Sequence, residues 1–149
     1  MNKEIKFRAK HISTGEWVYG YYVEALIGVK NGDKITPQIF DEDGKTVHII
    51  DKKTVGQYTG EDDINGINIY KGDILRGHEA GSGYDEDGND DDDFTNDEGF
   101  ITEVKFEDGA FVVDACTGDF DRTAIGWAKE SGFSYNRIGN IYDNKDLIK

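Results

Sequence analysis

Carboxylates are the most abundant side chains here that could do chemistry, with 31 Asp and Glu against 17 Lys and Arg. They are densest in residues 85–98, where nine acids stand without a base and Asp90, Asp91, Asp92 and Asp93 run consecutively. Two chemistries suit such a stretch: oxygen ligation of a hard cation such as Ca²⁺, or electrostatic capture of a basic partner. Asp85, Asp87 and Asn89 have the alternate spacing with which an EF-hand loop begins. The rest of that loop fails, because Asp90 stands where a sharp-turn glycine is required, Gly88 comes too early, and Asn96 replaces the bidentate glutamate. The expectation is a solvated loop over residues 77–99 and no metal, with Asp85, Asp87 and Asn89 as the cation candidate and Asp90 to Asp93 as an interaction stretch.

Other reactive groups are sparse. His11, His48 and His78 lie far apart, none at zinc-ligand spacing from a Cys or another His. They read as turn, strand-surface and loop residues. The single cysteine, Cys116, has no neighbouring His to activate it and reads as a structural thiol. No glycine-rich phosphate loop with Lys-Ser/Thr occurs, and no Ser sits in the Gly-flanked setting of a hydrolase elbow. An enzyme is not expected, and neither is a cofactor.

The elements that must carry these residues are short strands. Residues 3–10 alternate Ile5, Phe7 and Ala9 with Lys6, Arg8 and Lys10, the period of a half-buried strand. Thr14-Gly15 turns the chain into an aromatic strand with Trp17, Tyr19, Tyr21 and Tyr22, so residues 3–23 form a hairpin. Asn31-Gly32 separates Leu26, Ile27 and Val29 from a strand over residues 35–40, where Pro37 argues for an edge or bulge. Asp43-Gly44 precedes Val47, Ile49 and Ile50, and another strand starts at Val55. Asn65-Gly66 is a two-residue turn signal with positive φ at both positions, and Gly72-Asp73 breaks the chain before Ile74 and Leu75. Beyond the acidic stretch, Ile101, Val104 and Phe106 pair across Asp108-Gly109 with Phe111, Val112 and Val113. Residues 123–130 suit a short helix, residues 133–142 a final strand, and Asn144 is placed to cap a last helical turn.

Several of these stretches resemble the YopX family, small proteins encoded by bacteriophages and prophages. The resemblance is carried by Ile5-Lys6-Phe7-Arg8-Ala9, by Gln57-Tyr58-Thr59-Gly60, Asp63-Ile64-Asn65-Gly66 and Ile69-Tyr70-Lys71-Gly72-Asp73, by Val104-Lys105-Phe106, and by Ile138-Gly139-Asn140-Ile141-Tyr142. They follow the family's order over nearly the whole chain, with departures at Lys10, Glu61, Ile64 and Ile67. The resemblance implies a phage or prophage origin and an accessory role, and it brings no catalytic residues with it.

The expected fold is mainly β: one YopX-like unit made of an N-terminal β lobe, residues 1–58, and an SH3-like partial barrel, residues 59–149, with a long acidic loop and little helix. A net charge of −14 argues against direct binding of nucleic acid or of an anionic membrane surface. No apolar run reaches transmembrane length, the start of the chain is polar, and one cysteine fits a reducing compartment, so the cytoplasm of a bacterial host is expected. Many strand edges and surface-capable aromatics favour a non-enzymatic interaction module acting as a homo-oligomer. The alternative is an acidic mimic of nucleic acid that occupies a host DNA- or RNA-binding protein through residues 85–98.

Overall fold

A computed structural model describes residues 5–27, 34–79, 99–113 and 123–148. The chain divides into two compact units, Met1–Gly60 and Glu61–Lys149, and each has its own apolar core. Both are mainly β, and no described helix is long and apolar enough to cross a membrane.

The first unit contains strands β1 (Phe7–Lys10), β2 (Trp17–Ile27), β3 (Lys34–Asp41), β4 (Val47–Ile49) and β5 (Gly56–Asp62), the last of which runs over the unit boundary. They are hydrogen-bonded in the antiparallel order β4-β3-β2-β1-β5, with β6 (Asn68–Tyr70) next in order after β5. Alternation along β1 sends Phe7 and Ala9 into a core with Ile39, Ile50, Val18, Tyr22 and Val55. Lys6, Arg8 and Lys10 take the opposite face.

Gly20 is where β2 changes partners, pairing with Phe7 on one side and Asp41 on the other. A Cβ there would lie 1.9 Å from the Phe40 carbonyl oxygen, so only glycine allows this approach. Past β1, His11 bridges Ile50, the Ile12 N–H donates to the Ile49 oxygen at 3.0 Å, and the Asp51 N–H donates to Lys10 at 2.9 Å. The first and fourth strands thus meet, and the sheet curls closed around Ala9, Ile39 and Ile50. Pro37 is on β3, between β2 and β4 in the order rather than on an edge strand. The ladder to the short β4 starts at Gln38, so the missing N–H of Pro37 costs no ladder bond, while its oxygen accepts from Ile50 at 3.2 Å.

The second unit contains β6, β7 (Asp73–Glu79), β8 (Phe100–Glu103), β9 (Lys105–Glu107), β10 (Ala110–Val113), β11 (Thr123–Ala124), helix α1 (Ile125–Glu130) and β12 (Phe133–Asn140). Two three-stranded antiparallel sheets result, β12-β7-β8 and β11-β10-β9. Ile69, Leu75, Val104, Val113, Ile125, Ala128, Phe133 and Tyr135 fill the core, with Phe100 and Phe111 packed against them.

Several expectations need correction. The segment after Arg76 does not begin as a loop: Gly77, His78 and Glu79 continue β7, paired with Tyr135, Ser134 and Phe133. The Phe100 ring lies over Gly77, where a Cβ would meet it at 2.4 Å, so the glycine serves packing rather than mobility. The stretch around Ile101, Val104 and Phe106 is not one strand. Val104 donates to the Asp73 oxygen and accepts from Gly72, both at 2.9 Å, and the chain changes sheets at that anchor. At Asn65-Gly66 only Gly66 takes positive φ, +79°. The Gly66 N–H donates to the Asp63 oxygen and the Asp63 N–H to the Ile67 oxygen, a type I turn closed by a bulge rather than a two-residue turn. The two-residue form occurs at Asp108-Gly109, where φ is 51° and 81°. Asn144 precedes a 3-10 turn, Lys145–Leu147, without a side-chain cap; its Oδ1 accepts from the Asn140 N–H at 3.2 Å instead.

Candidate functional site

The cation candidate Asp85, Asp87 and Asn89, the run Asp90 to Asp93, and Cys116 lie outside the described residues. The described groups that could do chemistry fall into three sets, and each has a definite job.

The buried carboxylates are the first set. Asp63 accepts the N–H groups of Asn65 at 2.8 Å, Ile67 at 3.0 Å and Arg137 at 3.0 Å. Burial pushes its carboxyl up, but those three amides and the Arg137 charge outweigh burial and hold it below the usual carboxylate value. Asp73 is fully buried, and its Oδ2 accepts from the Tyr70 N–H at 2.8 Å while Arg137 Nε lies 3.7 Å from Oδ1. Asn140 Oδ1 receives the Tyr142 and Asp143 N–H groups at 3.0 and 2.9 Å. The Asp63-to-Gly66, Gly72-Asp73 and Asn140-to-Asn144 motifs therefore tie turns together within the second unit. Acids whose lone pairs are spent on backbone amides hold geometry, as capping residues do.

Histidines form the second set. His11 and His48 are brought together, ring centroids 5.8 Å apart and edge to face. His48 Nε2 lies 3.1 Å from Asp41 Oδ2, and His11 Nδ1 accepts the Ser13 and Thr14 N–H groups at 3.1 and 3.4 Å. His48 thus touches His11 on one side and Asp41 on the other, while the His11 lone pair that a metal would need is turned onto backbone. Among the described residues no three His, Cys, Asp or Glu side chains converge as a metal site. His78 stands apart, in β7.

The outer face of the first unit's sheet is the third. Near β1 it is cationic and aromatic: Arg8 is buried with its guanidinium 4.5 Å from the Trp17 ring, Lys10 is 5.4 Å from that ring, and Lys6 is 5.0 Å from Tyr58. Toward β4 the same face turns apolar. The register aligns Tyr21, Phe40 and Val47 in one row across three strands and Val23, Gln38 and Ile49 in the next. Five of these six are large hydrophobics, and each is 36 to 57 % exposed. Alternation in residues 17–23 announced aromatics on every second position, but only strand pairing shows that β3 and β4 extend them into a surface. A separate pocket of about 110 Å³ in the second unit is lined by Thr102, Glu103, Lys105, Val112 and Ile148. It is smaller than the ~300 Å³ at which small-molecule sites begin.

Comparison with known proteins agrees with this architecture. A family model described as YopX protein matches residues 6–149. The SPbeta prophage-derived uncharacterized protein YopX of Bacillus subtilis (strain 168) is 39% identical over 51 residues, which cover 33% of this chain and 37% of that relative. The aligned part thus spans little more than a third of the curated relative. The crystal structure of protein yopX from Bacillus subtilis superposes with a TM-score of 0.55 at 23% identity, covering 97% of this chain and 98% of that one. The crystal structure of protein EF1440 from Enterococcus faecalis gives 0.53 at 21% identity, covering 99% and 100%. At such identities the two structures establish a shared fold, and the family model spans nearly the whole chain: the protein belongs to the YopX family.

Proposed function

We propose that this YopX-family chain is a non-enzymatic protein-interaction module, a phage- or prophage-derived accessory protein that acts as a homo-oligomer in the bacterial cytoplasm. The observation that carries the reading is the apolar part of the first unit's sheet face, where Tyr21, Val23, Phe40, Val47 and Ile49 stand exposed in two aligned rows. Contiguous apolar surface of this kind is often a functional contact site, unlike apolar residues scattered singly. The carboxylates of Asp63 and Asp73, which a hydrolytic reading would favour, are engaged by backbone amides and support the non-enzymatic side. Light scattering across the micromolar range tests the oligomer: a mass above that of one chain supports it, and a clean monomer mass throughout refutes it.

A second reading rests on charge. Nine acids without a base in residues 85–98 would match the basic groove of a host DNA- or RNA-binding protein, making the chain an acidic mimic of nucleic acid. Basic nucleic-acid-binding proteins should then be captured from host lysate by the intact chain and lost when residues 85–98 are removed. Unchanged capture refutes it.

A further inference from the structure

We propose that the apolar rows on β2, β3 and β4 are the surface through which two copies of this chain meet, face on face, in a weak dimer. This rests on the homo-oligomer reading and deepens it by naming the surface and its occupant.

The chemistry of the face narrows the occupant first. Tyr21, Phe40 and Val47 are 57, 36 and 45 % exposed, and Val23 and Ile49 in the neighbouring row are 37 and 41 % exposed. The sixth position, Gln38, is buried, and its amide donates within β3 to the Thr36 oxygen. No charge stands in either row. A polyanion, a cation or a polar small molecule finds little to bind there, and an apolar surface of similar flatness does.

Charge then favours a second copy. Two chains of net charge −14 repel each other, so they approach most readily where the charge is least. Residues 1–60 hold nine of the 17 basic side chains and only eight of the 31 acids, leaving the first unit close to neutral. Residues 61–149 carry the other 23 acids. A basic partner would be steered toward those acids, and away from the uncharged rows of the first unit.

Area sets the strength. Five large side chains at these exposures offer on the order of 400 Å² per copy, about half of the ~800 Å² per partner in a standard stable interface. A patch of this size belongs with weak, transient contacts that come apart on dilution rather than with permanent dimers.

Sedimentation equilibrium on the full chain from micromolar to millimolar concentration tests this, using Val47→Glu and Val47→Lys. Val47 is exposed on a short strand, so both variants should retain the wild-type unfolding midpoint, which is measured alongside. The expected result is a wild-type mass that climbs toward two chains, at least tenfold weaker association in either variant alone, and recovery of association in an equal mixture, where opposite charges face each other. Wild-type association that persists in both variants overturns this surface and leaves the oligomer reading standing. A wild type that stays monomeric overturns both. Variants that stay folded and monomeric, with no recovery on mixing, overturn the face-on-face arrangement of the two copies.

Discussion

Gly20→Ala puts the architecture of the first unit to its most direct test. The added Cβ would sit 1.9 Å from the Phe40 carbonyl oxygen and 2.8 Å from its carbon, where real Cβ contacts stay above 3.0 Å. The obstacle is backbone, so β2 and β3 must part by more than 1 Å at their shared pivot. Parting them strains the ladder at the point where β2 exchanges β1 for β3. Overpacking of this kind costs about 1 to 3 kcal/mol, and each ladder bond lost adds about 1, so a total near 3 to 4 kcal/mol is expected. Gly44→Ala is the matched control. Gly44 also has positive φ, +72°, but a Cβ there meets nothing within 4 Å, so only the left-handed penalty of about 1 kcal/mol applies. The two tryptophans make the assay unit-specific, since Trp17 lies in the first unit and Trp127 in the second. In a Trp127→Phe background, urea unfolding followed by Trp17 fluorescence should place the Gly20→Ala midpoint about 2 M below that of Gly44→Ala, taking a slope of ~1 kcal/mol per M for so small a unit. Equal midpoints would mean that the close approach at Gly20 costs nothing and that glycine is not required there.

Asp63→Asn should destabilise the second unit by about 2 to 3 kcal/mol, since one amide oxygen cannot serve three N–H donors and the new NH₂ would confront one of them. Trp127 fluorescence in a Trp17→Phe background reads the loss, and an unchanged midpoint would count against the turn-anchor role. The folded Asp63 carboxyl titrates below its ordinary value of 3.8, so its contribution is complete above that pH and disappears as pH falls through the folded value. In the variant that part of the acid sensitivity should vanish. Tyr22 is pushed up to about 12 by burial and then by its hydrogen bond to Glu24, 2.6 Å away. Its share of stability is present below pH 10 and is lost as pH rises toward 12. Ultraviolet titration should show a late-ionising tyrosine that moves toward 10 in Glu24→Gln, and no movement would disprove the coupling.

Strand periods and turn dipeptides made much of the β order readable in advance, because residues 5–10 alternate cleanly and Gly or Asn-Gly marks the reversals. The readings that failed did so for non-local reasons. Nothing near His78 says that β12 will pair with it, since its partner Ser134 is 56 residues away. The type I turn at Asn65-Gly66 depends on the Asp63 side chain, which also binds Arg137 across the sheet. Val104 breaks an apparently continuous strand because Gly72 and Asp73 claim its backbone groups. The candidate surface was only partly legible: Tyr21 stands out in sequence among the aromatics, but Val23, Phe40, Val47 and Ile49 join it only through register.

The hairpin of β7 and β8 gives residues 80–98 a particular freedom of length. Gly77 pairs with Phe100, and Gly99 packs so closely that a Cβ there would lie 2.3 Å from the Gly77 oxygen. The chain leaves and re-enters through neighbouring positions already fastened to each other. Exchanging the 19 intervening residues for a four-residue turn changes loop-closure entropy by only about 1.4 kcal/mol. Closure itself therefore sets little limit on the length of chain between these two positions, and the same site is where an inserted peptide or reporter domain should be accepted.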